Sequence, residues 1–201
     1  MAHKNGKTLN YDAVVVLSFG GPEGPEDVLP FLHNVTRGRE IPECRLMEVA
    51  EHYQAFGGIS PINGQNREFV RHLSAELERR GLDLPVLFGN RNWQPYLGDT
   101  LATAVECGYS RILALVTSAF SSYSGCRQYL EDIQRAVASI DSATSLTVDK
   151  IRPFYNSSGF IGAIQDNLSK TLREFKETPN EDVQILFTAH SIPLSMANNC
   201  E

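Results

Sequence analysis

Asp12–Ser18, DAVVVLS, running straight into Phe19-Gly20-Gly21-Pro22, is the stretch on which the fold turns. The apolar residues between Asp12 and Ser18 do not alternate with polar ones, which suits a strand covered on both faces, as in a parallel sheet. Similar runs follow along the chain: PVLFGN from Pro85, RILALVTS from Arg111, LTVDKI from Leu146 and VQILFTA from Val183. Between them lie segments with helical spacing. Phe69, Leu73 and Leu77 mark one, Leu97, Leu101 and Val105 another, and Ile161, Ile164, Leu168, Leu172 and Phe175 predict a third with its apolar stripe on the sheet. Gly81 and Gly108 read as helix stops. Strand, helix, strand, helix with short connections predicts an α/β fold, a Rossmann-like doubly wound parallel sheet.

In that class ligands sit outside the carboxyl ends of the strands. Four exits therefore carry the functional interest: SFGGPEGP (18–25), GNRNWQP (89–95), TSAFSSYSGCRQY (117–129) and TAHSIP (188–193). Residues 25 to 80 hold more helix than one crossover needs, so an extra helical layer over the site is expected.

Composition narrows the class. With 42% hydrophobic and 21% charged residues in 201, the chain reads as globular, and its net charge of -6 argues against a nucleic-acid partner. No run approaches the roughly 18 apolar residues of a membrane span, and MAHKNGKTLNYD lacks the apolar segment of a signal peptide, so a cytoplasmic protein is expected. Cys44, Cys107, Cys126 and Cys200 form no C-x-x-C pair and read as free thiols.

Each exit admits a functional and a structural reading. FGGPEGP lacks the G-x-G-x-x-G spacing, and Pro22 and Pro25 remove N–H donors that a phosphate cradle would use. It is either a turn approaching a flat ligand or a purely structural turn. Arg37 and Arg39 could grip a carboxylate between them or form a solvated pair. The Ser60 hydroxyl could donate to an anionic ligand or satisfy its own turn. Ser118, Ser121, Ser122, Tyr123, Ser124 and Tyr129 suit a polar pocket wall, with helix capping by Ser121 or Ser124 as the alternative. No G-x-S-x-G elbow marks a hydrolase. His190, at a strand exit, can bind a divalent metal or accept a proton.

Taken in order, SFGGPEGPEDV, NVTRGR, FGGISPING, FGNRNWQPY, SAFSSYSGCRQYLEDI and TAHSIP resemble the ferrochelatase family, in its actinobacterial, coproporphyrin-dependent branch. The resemblance implies two Rossmann-like domains with a porphyrin between them, and insertion of ferrous iron with loss of two pyrrole protons. Residues 12–178 would form the first domain after a flexible 1–11, and 179–201 would begin the second. His190 matches the family's catalytic, metal-facing histidine. Ser60 and Tyr129 match porphyrin-contacting positions, Arg37 and Arg39 the arginine-bearing lid, and Arg91 a basic position near the metal or porphyrin path. Tyr123 falls in the same hydroxyl-rich wall.

Two departures qualify the transfer. Phe19 stands where many relatives carry an iron-ligating tyrosine, so it is expected to be an apolar wall. The glutamate that faces the histidine in the family has no counterpart here, so an incomplete form is expected. Some members hold an iron–sulfur cluster; Cys126 lies at the matching exit, and a free thiol is the alternative. The substrates implied are Fe(II) and coproporphyrin III, in haem b biosynthesis, acted on by a monomer without a membrane anchor. The rival readings are a non-catalytic tetrapyrrole-binding fragment, a protoporphyrin ferrochelatase, and a chelatase for cobalt or nickel.

Overall fold

The computed structural model describes residues 11–140, 145–176, 183–188 and 194. These residues group into two compact units, one running to Thr117 and resuming over Tyr129–Ile151, the other comprising Ser118–Gln128 and the chain from Arg152 onward.

The first unit holds the sheet. Strands β1 (Ala13–Ser18), β2 (Val86–Asn90), β3 (Arg111–Val116) and β4 (Thr147–Lys150) lie in the order β2-β1-β3-β4. Every pairing is parallel, with Val14 opposite Val86 and Leu113, and Ile112 opposite Val148. β1 is buried at every position, as its unbroken apolar run predicts. β3 instead alternates: Ile112, Ala114 and Val116 are buried while Leu113 and Leu115 are half-buried, so burial on both faces holds for the central strand only.

Helices α1 (Val28–Val35), α2 (Glu43–Gln54) and α3 (Ile62–Arg79) separate β1 from β2, α4 (Leu97–Glu106) separates β2 from β3, and α5 (Tyr129–Ala138) separates β3 from β4. α4 and α5 cover one face, where Leu97, Leu101, Ala104, Tyr129 and Ile133 close a core with Val15, Leu17, Ile112, Ala114 and Val116. α3 packs against β2 and β1. Its inward positions are Asn63, Asn66, Val70, Leu73 and Leu77, whereas Phe69 is 42% exposed. The expected stripe is therefore corrected at its N-terminal end, where two carboxamides replace an aromatic. α1 and α2 make the extra helical layer, with their own core of Val28, Phe31, Leu32, Leu46 and Ala50.

Gly81 and Gly108 take φ of +70° and +85° just past α3 and α4. The amides after them, Leu82 and Tyr109, donate back to Leu77 and Ala104, so both helices end in the glycine-terminated closure that the sequence predicts.

The second unit contains a π-helical turn, Tyr123–Gln128, and helix α6 (Ser158–Lys176). Ile161, Ile164, Leu168 and Phe175 on α6 are 40–49% exposed, so this stripe is not the covered face that its spacing predicts. Residues 183–188 join no strand, and Leu186 and Phe187 are 84% and 94% exposed. The expected fifth strand is absent over those residues.

Candidate functional site

The strand order reverses at β1, so the carboxyl ends of β1 and β3 flank the switch point of the sheet. There Thr117 Oγ1 donates to Ser18 Oγ at 3.2 Å, and Ser18 is fully buried. Pairing between β1 and β2 continues past their ends: Arg91 N–H donates to Ser18 O and Asn92 N–H to Phe19 O. The side chain of Asn92 donates to Phe19 O as well.

The glycine turn after β1 closes on the protein itself. A Cβ on Gly21 would lie 2.6 Å from Ser60 Cβ and 2.7 Å from its Oγ, so only glycine permits this approach. Ser60 N–H in turn donates to Pro22 O at 2.8 Å. The Ser60 hydroxyl lies 3.5 Å from the Ile62 amide, a long contact, and the residue remains half-buried.

Asn63, 1% exposed, ties the exits together. Its Nδ2 lies 3.3 Å from Gly21 O, 3.1 Å from Glu23 Oε1 and 3.2 Å from Gln94 O. Its Oδ1 accepts from Asn90 Nδ2, which also donates to Gln94 O. A buried carboxamide left without partners costs about 1–3 kcal/mol; here one amide satisfies carbonyls from two loops. Glu23 also pairs with Arg67 at 2.6 Å, and that guanidinium, with Asn63, holds the carboxyl below its usual range against the opposing effect of burial.

Phe19 lies at the edge of an aromatic group. Its ring meets Phe31 edge-on at 6.2 Å, and Phe31 meets Tyr53 and Trp93 in the same way at 6.1 and 6.2 Å. Phe31 is 2% exposed and Phe19 37%, so Phe19 is the member that offers surface. Nearby on the chain, His52, Tyr53, Phe56, Ile59, Ser60 and Pro61 line an open hollow of about 440 Å³.

Arg91 and Tyr129 are brought together. Arg91 Nε lies 2.9 Å from Asp132 Oδ2, with the two side chains 16% and 11% exposed, and its Cζ is 5.6 Å from the Tyr129 ring centroid. Arg135 shares the Asp132 carboxylate from outside. Tyr129 is 6% exposed, and burial pushes its phenol up to about 12, with Arg91 opposing. It supports Arg91 from within the core.

Arg37 and Arg39 are exposed on the turn after α1, where Arg37 Nη2 donates to Asn34 Oδ1 at 2.6 Å. Tyr123 and Cys126 lie in the π-helical turn of the second unit; Tyr123 is half-buried, and the Cys126 side chain is outside the described set. The Gly125 amide donates to Ser122 Oγ at 2.8 Å, so Ser122 caps this turn. His190 lies outside the described residues. Cys44 and Cys107 are exposed free thiols. Among the described residues no three His, Cys, Asp or Glu side chains converge on a metal position. No described helix is long and apolar enough to cross a membrane.

Sequence reasoning missed Asn63, Asn90 and Asp132. Asn90 and Asn92 in GNRNW were the available signal, because a carboxamide at the end of a buried strand must find partners. Asp132, by contrast, looks like any solvated helix residue until Arg91 is placed.

A parallel sheet that reverses its strand order at β1, with the exits of β1 and β2 clasped together and a helical insert between those strands, defines an α/β protein of the doubly wound class. A sequence model of the ferrochelatase family matches residues 11–201, and the chain belongs to that family. It is 51% identical over 190 residues to the coproporphyrin III ferrochelatase of Streptomyces coelicolor, covering 94% of this chain and 51% of that one. A ferrochelatase of Rhodopirellula baltica is 50% identical over 191 residues, covering 95% and 54%. The coproporphyrin III ferrochelatase of Mycolicibacterium smegmatis is 47% identical over 192, covering 96% and 56%. The chain thus spans about half the length of the curated relatives it matches.

Proposed function

We propose that this chain forms the N-terminal part of a site that inserts Fe(II) into coproporphyrin III, giving Fe-coproporphyrin III in haem b biosynthesis. The observation that carries this reading is the junction after β1. Phe19 offers a partly open ring directly before the Gly20–Gly21 turn, and Ser60 is held against Gly21. An apolar wall next to a hydroxyl suits a flat macrocycle with carboxylate arms.

The reaction forms iron–nitrogen bonds and releases two pyrrole protons. His190 receives those protons or presents the metal. Phe19 lies against the ring, Ser60 and Tyr129 with Arg91 set its position, and Arg37 and Arg39 pair with its carboxylates. Four propionates on coproporphyrin, against two on protoporphyrin, suit this supply of arginines and hydroxyls. On this reading residues 12–178 are the first chelatase domain and 179–201 open the second. The protein acts as a cytoplasmic monomer on porphyrin and ferrous iron, without nucleic acid.

The test supplies Fe(II) and coproporphyrin III to the protein and to His190→Ala, following the Soret band. Metallation that is lost in the variant is the expected result; equal rates would remove His190 from the reaction. The rival reading is tetrapyrrole binding without turnover. It predicts a porphyrin titration that saturates with no metallated product.

A further inference from the structure

The second unit carries an aromatic surface that the proposed reaction has not used. Phe120 is 62% exposed and Tyr155 43%, yet their rings lie 17° from parallel with centroids 6.2 Å apart. Phe160, in the first turn of α6, braces Phe120 edge-on at 6.0 Å and meets Phe154 edge-on at 5.4 Å. The backbone is fixed as well, because Tyr155 N–H donates to Ala119 O at 3.1 Å. Large rings held in place while open to water mark a face built to be covered.

What adjoins the pair in the chain narrows the occupant. Phe120 is followed by Ser121, which is exposed, and by Ser122 and Tyr123, which are half-buried, at the mouth of the π-helical turn. Such turns recur at functional sites. A Cβ on Gly125 would lie 2.7 Å from Ser118 Oγ and 2.9 Å from Ser122 Oγ, so the turn closes tightly on these hydroxyls. A near-parallel ring pair offers a π face to a planar conjugated ligand, and hydroxyls beside it donate to carboxylates.

We propose that Phe120 and Tyr155 form a stacking platform for the macrocycle of an anionic porphyrin, with the hydroxyls of Ser121 and Tyr123 available to its carboxylate arms. The proposal rests on the substrate reading above and adds Phe120 and Tyr155, to which the resemblance assigned no role.

The experiment titrates the unaltered chain, Phe120→Ala, Phe120→Leu and Phe120→Tyr with coproporphyrin III, following the porphyrin's own fluorescence and Soret band. Sedimentation of each protein runs in parallel. Removing one ring contact should weaken binding about ten-fold in the Ala and Leu variants, and Phe120→Tyr should retain it. Since Phe120 is largely exposed, the thermal midpoint should stay put, and the Leu and Tyr variants separate loss of the ring from loss of folding. Unchanged affinity in all three variants overturns the platform and leaves the substrate reading standing. No binding by the unaltered chain overturns the substrate reading, and the platform with it. A Phe120→Ala variant that changes only self-association assigns the face to a protein contact and likewise overturns the proposal.

Discussion

Tyr129 shows what one buried group can reveal. Its phenol sits near 12 because burial disfavours the phenolate, against about 10 in an unfolded chain. The neutral form is thus favoured by folding, and this contribution is complete below about pH 10 and lost as pH rises from about 10 to 12. Unfolding measured by denaturant across that range should show a fall of about 2–3 kcal/mol that Tyr129→Phe flattens. Tyr53, also raised by burial, adds a fall of the same sign. Nothing in the sequence distinguished Tyr129 from Tyr123 by burial. Both stand among hydroxyls after a strand, and only the placement of α5 turns one of them inward. Ser60, Arg37 and Arg39 were legible as polar residues on turns. The neighbour of Ser60 was not, because Gly21 comes against it only through tertiary folding, whereas Asn34, three residues before Arg37, is a local partner.

Among the elements, those whose apolar pattern matches their burial were legible: β1 is an unbroken run buried throughout, and Leu97 and Leu101 of α4 fall on the core as spaced. α3 departs because Asn63 and Asn66 occupy its inward face, and carboxamides give no hydrophobic signal. α6 has as regular a stripe as α4, yet its side chains stay half open; periodicity reports an amphipathic helix but not what covers it. The two helices should therefore respond differently to truncation. Leu101→Ala, at a fully buried site, should cost about 2–4 kcal/mol in denaturant unfolding, and Leu168→Ala less than about 1 kcal/mol. Equal costs would mean that the α6 stripe is covered in solution.

For the molecule as a whole, burial is unevenly shared. The buried hydrophobic residues run from Ala13 to Leu146 and all belong to the unit that holds the sheet; none of those described lies in Ser118–Gln128 or beyond Arg152. Local opening costs least where few apolar groups are buried. Amide hydrogen exchange should accordingly be slow in β1 and β3 and fast through α6, and equal protection in both would contradict this division. The Asn63 clasp has a different consequence, for where the chain tolerates added length. The loops 19–24 and 90–96 both offer a carbonyl to the Asn63 amide, so an insertion in either pulls its carbonyl off that shared donor. The exposed residue Asp83, in the connection between α3 and β2, carries no such link. Affinity tags, fluorophores or evolutionary insertions belong there, and the two clasped loops are obliged to keep their lengths together.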